Sequence, residues 1–147
     1  MLIDTIDLDL KAAMKERDEI KVSTLRMIKA ALTNKLIERK EKTLSDEITV
    51  EVIQRQAKQR KESIEEFKKG SRQDLIDKET KELAILEKYL PKQLSESELK
   101  VLVQAAIQAA SAKTKAELGR VMKEVMPQVK GRADGKEINR IISLLLP

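Results

Sequence analysis

ELAILEKYLPKQLSESEL, residues 82–99, contains a helix end, a break and a helix start in one short run. Leu83, Leu86, Tyr89 and Leu90 keep the three-and-four spacing of an amphipathic helix. A residue that precedes proline is pushed out of the α region, so this helix stops near Leu90, before Pro91. Ser95-Glu96-Ser97-Glu98 then has the form of a capping box, a serine oxygen on an orphan N–H and a glutamate reaching back. The helix it opens carries Leu99, Leu102, Ala106 and Ala110. One helical unit closes here and another begins. The stretch predicts an all-α, multihelical chain of two packed subdomains, residues 1–93 with about four helices and residues 94–147 with about three.

Upstream, Leu2 or Ile3, Ile6, Leu10 and Met14 mark a first helix over about 2–17. Leu25, Ile28, Leu32 and Leu36 continue a second to about residue 40. After the polar connector KEKTLSDEI, a third helix carries Val50, Ile53, Ala57, Arg60, Ile64 and Phe67, and Gly70 is placed for a left-handed stop. The fourth starts after Ser71. Downstream, Thr114–Glu117 and Asp134–Glu137 repeat the capping-box form. They open helices through Leu118, Val121, Met122 and Val125, and through Ile138, Ile141, Ile142 and Leu145. Pro127 is expected to end or kink the first of these.

Composition agrees with helices. Apolar residues make up 41% of the chain and charged residues 37%, with four glycines, three prolines and almost no aromatics. No run approaches the roughly 18 apolar residues of a membrane span. The N-terminus lacks a basic-then-apolar leader, so cytoplasmic is the default compartment. Without histidine or cysteine there is no Ser-His-Asp or Cys-His nucleophile system and none of the usual zinc ligand sets. No phosphate-cradling glycine loop occurs. No catalytic, cofactor or metal residue is therefore assigned.

Two stretches leave alternatives open. In KQRKESIEEF (58–67), Arg60 falls on the apolar stripe between Ala57 and Ile64. It either lays its stem on the core and pairs with Glu79 or Glu82, or joins Gln59 and Ser63 in a polar patch for a ligand. Tyr89, the single tyrosine, reads as a packing residue. The stretch KGRADGK (130–136) sits where charge gathers: seven basic residues face three acidic ones over 113–136, in a chain of net charge +5. It is either a helix junction or a place where Lys123, Lys130, Arg132 and Lys136 meet phosphates. With only Phe67 and Tyr89 available to stack bases, RNA contact would rest on phosphate, sugar and shape.

STLRMIKAALTNKLIE (23–38), residues 58–99 and KAELGRVMKEVMPQVKGRADGKEINRII (115–142) together look like the GatB/YqeY family. In one form, the family is the C-terminal tail of the amidotransferase B subunit that acts on misacylated glutamyl- or aspartyl-tRNA. In the other it is a small stand-alone protein, which this sequence resembles more closely by its length. The resemblance implies an all-helical fold and a module that contacts the body of tRNA. It also implies association with carbon–nitrogen ligase chemistry in which glutamine is the amido donor, without a catalytic site of its own. The expected partners are tRNA or another structured RNA, and a protein, with neither membrane nor metal. A protein–protein adaptor is the competing reading, docking through the Val50–Phe67 stripe or the terminal ISLLLP.

Overall fold

The helix starts are set by short polar side chains. Asp18, Ser45, Ser95 and Asp134 stand at N-cap positions and accept from the N–H groups of Lys21, Ile48, Glu98 and Lys136 at 3.2–3.3 Å. In the computed structural model, which describes residues 1–147, these caps help frame seven helices and no strand. They are α1 (Leu2–Glu16), α2 (Glu19–Arg39), α3 (Asp46–Lys69), α4 (Gln73–Glu87), α5 (Glu96–Ala109), α6 (Leu118–Val129) and α7 (Gly135–Leu145). A single 3₁₀ turn, Lys115–Glu117, precedes α6. The chain is all-α and multihelical.

The first three helices end within about a residue of the expected positions, but their closures differ. Arg17, Lys40, Ser71 and Ser111 adopt left-handed φ values of 51–56°. After each, an N–H two residues beyond the last turn closes a six-to-one bond, Asp18 to Ala13 O, Glu41 to Leu36 O, Arg72 to Phe67 O and Ala112 to Ile107 O. Gly70 does not take this role, since its φ is −91° and Ser71 makes the turn instead. Pro127 does not end its helix either. It lies inside α6, which runs on to Val129. Lys123 and Pro127 are both exposed, so the carbonyl that loses its intrahelical donor faces water.

Of the three capping boxes, Ser95 keeps its serine half, and the other two depart further. The Thr114 side chain caps nothing, while Glu117 accepts from the Lys113 N–H. Asp134 does cap α7, but Glu137 turns forward to Arg140.

Contacts divide the chain into two units, Met1–Leu90 and Pro91–Pro147. In the first, Ile6, Leu10, Ala13, Leu25, Ile28, Leu32, Ile53, Ala57 and Leu86 form the core, with Leu44 of the α2–α3 connector buried among them. Ala13 occupies the place expected of Met14, which is 49% exposed. Tyr89 donates to Asp9 Oδ2 at 2.5 Å, tying the turn after α4 to α1. In the second unit the core is Leu99, Val103, Ala106 and Ala110 of the α5 region, Val121, Val125 and Val129 of α6, and Ile138, Ile141, Ile142 and Leu146 of the α7 region. Burying a side chain of this size stabilises by about 1.5–3 kcal/mol.

Candidate nucleic-acid interface

The spacing of Val121, Val125 and Val129 turns one face of α6 into the core. The opposite face carries Gly119, Met122, Lys123, Met126, Pro127 and Lys130, which line a shallow open groove. Lys123 and Lys130 are exposed on it, seven residues and so about 10 Å of helix rise apart. A Cβ at Gly119 would meet nothing within 4 Å, so this end of the groove is open.

The connector after α6 is a type II turn. Lys130 sits at φ −56°, ψ 123°, Gly131 at φ 76°, and Arg132 N–H donates to Val129 O at 2.8 Å. The second central position of such a turn needs positive φ, which Gly131 supplies. A second strand of chain, Pro91–Leu94, is bonded to this turn. Gln93 Nε2 donates to Gly131 O at 2.8 Å and to Pro91 O at 2.9 Å. Leu94 N–H donates to Arg132 O at 2.9 Å, and Arg132 Nε donates to Lys92 O at 3.1 Å.

The four expected basic residues are therefore not equivalent. Lys123 and Lys130 share the groove. Lys136 is exposed on the first turn of α7 and does not line it. Arg132 is half-buried and commits its Nε to the Lys92 carbonyl, so it holds the two connectors together. Lys92 itself is exposed beside the turn and was not expected; its place in YLPKQLS, next to the break, was the only cue. Two arginines of the unit make identifiable internal bonds. Arg120 donates to Ala110 O and lies 3.7 Å from Glu117. Arg140 is paired with Glu137 and, at 3.0 Å, with Glu96. Its hydrogen bonds and charge hold the Glu96 carboxyl below its usual range.

The residues of the proposed polar patch do not form one site. Arg60 and Glu82 are each 5% exposed, with Nε and Oε2 3.1 Å apart. The rest of the guanidinium meets Gln56 Oε1 at 3.2 Å and Met27 Sδ at 3.4 Å. The acid partner is Glu82; Glu79, one turn earlier, stays half-exposed. Gln59 points outward and lines a polar groove between α2 and α3 with Asn34, Arg55 and Gln56. Ser63 is half-buried and lies outside that groove. The apolar stripes offered for adaptor docking are also largely spent. Ile53 and Ala57 are in the first core and Ile142 and Leu146 in the second, leaving Leu144 at 63% exposure.

Comparison with known proteins follows this geometry. A family model described as Yqey-like protein matches residues 3–146. The chain is 34% identical over 140 residues to "Altered inheritance of mitochondria protein 41, mitochondrial" of Pyrenophora tritici-repentis, covering 93% of this chain and 76% of the relative. The protein of the same name from Kluyveromyces lactis is 41% identical over 81 residues, covering 55% of this chain and 44% of the relative. In Saccharomyces cerevisiae the figures are 34% over 122 residues, 82% and 66%. The chain thus spans less than two thirds of the two yeast relatives. Their names correct the cytoplasmic expectation, because these relatives are mitochondrial by name. The absence of a basic leader at the first residues was the whole basis for it.

Proposed function

The chain belongs to the YqeY-like family, and from that premise we propose that its C-terminal unit binds tRNA or a similarly structured RNA through phosphate contacts. In this reading it serves as an accessory to tRNA-dependent amidotransferase chemistry, a carbon–nitrogen ligation with glutamine as amido donor. In this reading it does not catalyse the ligation itself. The observation that carries the reading is the pair of exposed lysines lining one groove, Lys123 on α6 and Lys130 in the glycine turn that follows it. Lysine ammonium groups on a fixed helix face neutralise phosphates without reading bases, and the unit has no aromatic residue on which a base could stack. The strip formed by Met122, Met126 and Pro127 favours one alternative, an apolar protein partner.

Salt titration separates the two. Each phosphate neutralised adds about 0.7–0.9 to the slope of log affinity against log salt, whereas apolar docking is salt-insensitive. Lys123→Ala with Lys130→Ala should weaken binding across many tRNA sequences and flatten the slope by about one to two units. Arg132→Ala is not a clean probe, because it also removes the bond to Lys92 O. Asp134→Ala is the control for stability; it loses a cap, costing about 1 kcal/mol, and should leave affinity intact. Unchanged affinity and slope in the folded double variant would reduce the groove to a helix surface.

A further inference from the structure

We propose that the outer half of the α3–α4 hairpin, residues 61–81, is an arm that opens separately from the rest of its unit, with the buried Arg60–Glu82 pair as the latch at its root. At 1.5 Å per residue α3 is about 36 Å long, far more than its core contact requires. Its contributions to the core are Ile53 and Ala57, and α4 contributes Leu86, with Leu83 packed against it. From residue 61 to residue 81 no side chain is buried. Ile64, Phe67, Leu75 and Ile76 are half-buried and belong to neither core cluster, so their apolar cover comes from the hairpin itself.

That cover is thin against the cost of order. Fixing a residue's backbone costs conformational entropy, and helices this short are marginal alone in water. The surface ion pairs add little. Lys68–Glu65, Lys69–Glu66 and Arg72–Asp74 join side chains that are 58–74% exposed, a setting in which solvent screens each pair. With six basic and six acidic residues over 61–81, the arm also has no charge excess for a polyanion to stabilise. The arm is held as a continuation of helices whose inner turns are packed.

The latch fixes where opening stops. Arg60 is gripped by Gln56 one turn back and by Met27 of α2, so it stays with the core side while reaching across to Glu82. Unzipping from the Gly70–Ser71 tip inward uncovers only half-buried groups until it meets this pair. Going further would strand two buried charges. Opening to that limit exposes Ile64, Phe67, Leu75 and Ile76 together as an apolar surface that the closed protein covers.

Native-state hydrogen exchange on the full chain tests this. Amides of residues 64–69 and 77–81 should exchange about 100-fold faster than those of 53–59 and 83–86 in the same two helices. Phe67→Ala should speed exchange in the arm alone and leave the unfolding midpoint of the unit in place. Glu82→Gln should move the fast-exchanging boundary inward along α3 and α4, so that the loss of protection there exceeds the loss in α1 and α2. Arm and root amides within about threefold of each other would overturn the proposal, as would a Glu82→Gln variant that loosens all four helices equally. If Glu82→Gln does not fold, Phe67→Ala decides alone; a lowered global midpoint without faster arm exchange would show that the arm is part of one cooperative unit.

Discussion

At the scale of single residues, two buried polar contacts carry the sharpest consequences. Removing one partner of the Arg60–Glu82 pair leaves the other charge unpaired at 5% exposure, a loss of about 3 kcal/mol. Glu82→Ala should therefore lower the denaturation midpoint sharply, while Arg55→Ala on the exposed side of α3 should barely move it; equal midpoints would contradict this account. An arginine on an apolar stripe made an acid partner one of two readings of the sequence, and the structure shows the pair. Choosing between Glu79 and Glu82 was not possible, since residues three apart share a helix face and only the register of α4 against α3 selects one. Tyr89 gives a pH test. Burial first, and then its hydrogen bond to Asp9, push the phenol above its ordinary value near 10. The folded state then holds its proton where the unfolded state has lost it. This contribution to stability is complete below about pH 10 and declines as pH rises above that value. Ultraviolet titration of this one tyrosine should show a raised midpoint that returns to normal on unfolding, and Tyr89→Phe should flatten the alkaline fall in stability.

At the scale of elements, apolar spacing and polar caps located the helices and most of their ends, while the way the ends close escaped. The reason lies in residue type. Left-handed ends are read from glycine, but here arginine, lysine and serine supply them, at a steric cost that packing and the six-to-one bonds offset. The Thr114 box failed because the chain enters α6 through a 3₁₀ turn, which displaces the first orphan N–H groups from the threonine. Glycine substitutions test this directly. Ser111→Gly should raise stability by about 0.5–1 kcal/mol by relieving the left-handed position. Gly135→Ala should also stabilise, by about 0.4–1 kcal/mol, because a Cβ there meets nothing and the residue is helical. Gly131→Ala should do the opposite and cost about 1–2 kcal/mol, since the type II turn holds φ at 76°. Thermal melts of the three variants read the signs, and a neutral Gly131→Ala would mean that the turn relaxes without it.

At the scale of the whole molecule, composition and periodicity made the all-α class legible, because nearly every core position recurs at helical spacing. The candidate interface was legible only in part. Lys123 and Lys130 are joined by helix geometry, which sequence numbering encodes. Lys92 and Gln93 reach the same loop through hydrogen bonds across some forty residues, which no local pattern announces. Those bonds also supply the last prediction. Pro91–Leu94 is hydrogen-bonded to the turn at 131–132, and eleven buried side chains from α5, α6, α7 and their flanks form a core drawn from this unit alone. A chain of this length buries about 60% of its unfolded surface, near the lower limit for independent folding. Residues 91–147 expressed alone should therefore be helical and melt cooperatively, but at modest temperature. Residues 95–147, which lack Lys92, Gln93 and Leu94, should melt lower because the Gly131 and Arg132 carbonyls and the Arg132 guanidinium lose their partners. Circular dichroism melts of the two fragments make the comparison. Equal midpoints would show that the second connector contributes nothing to the turn it lies against.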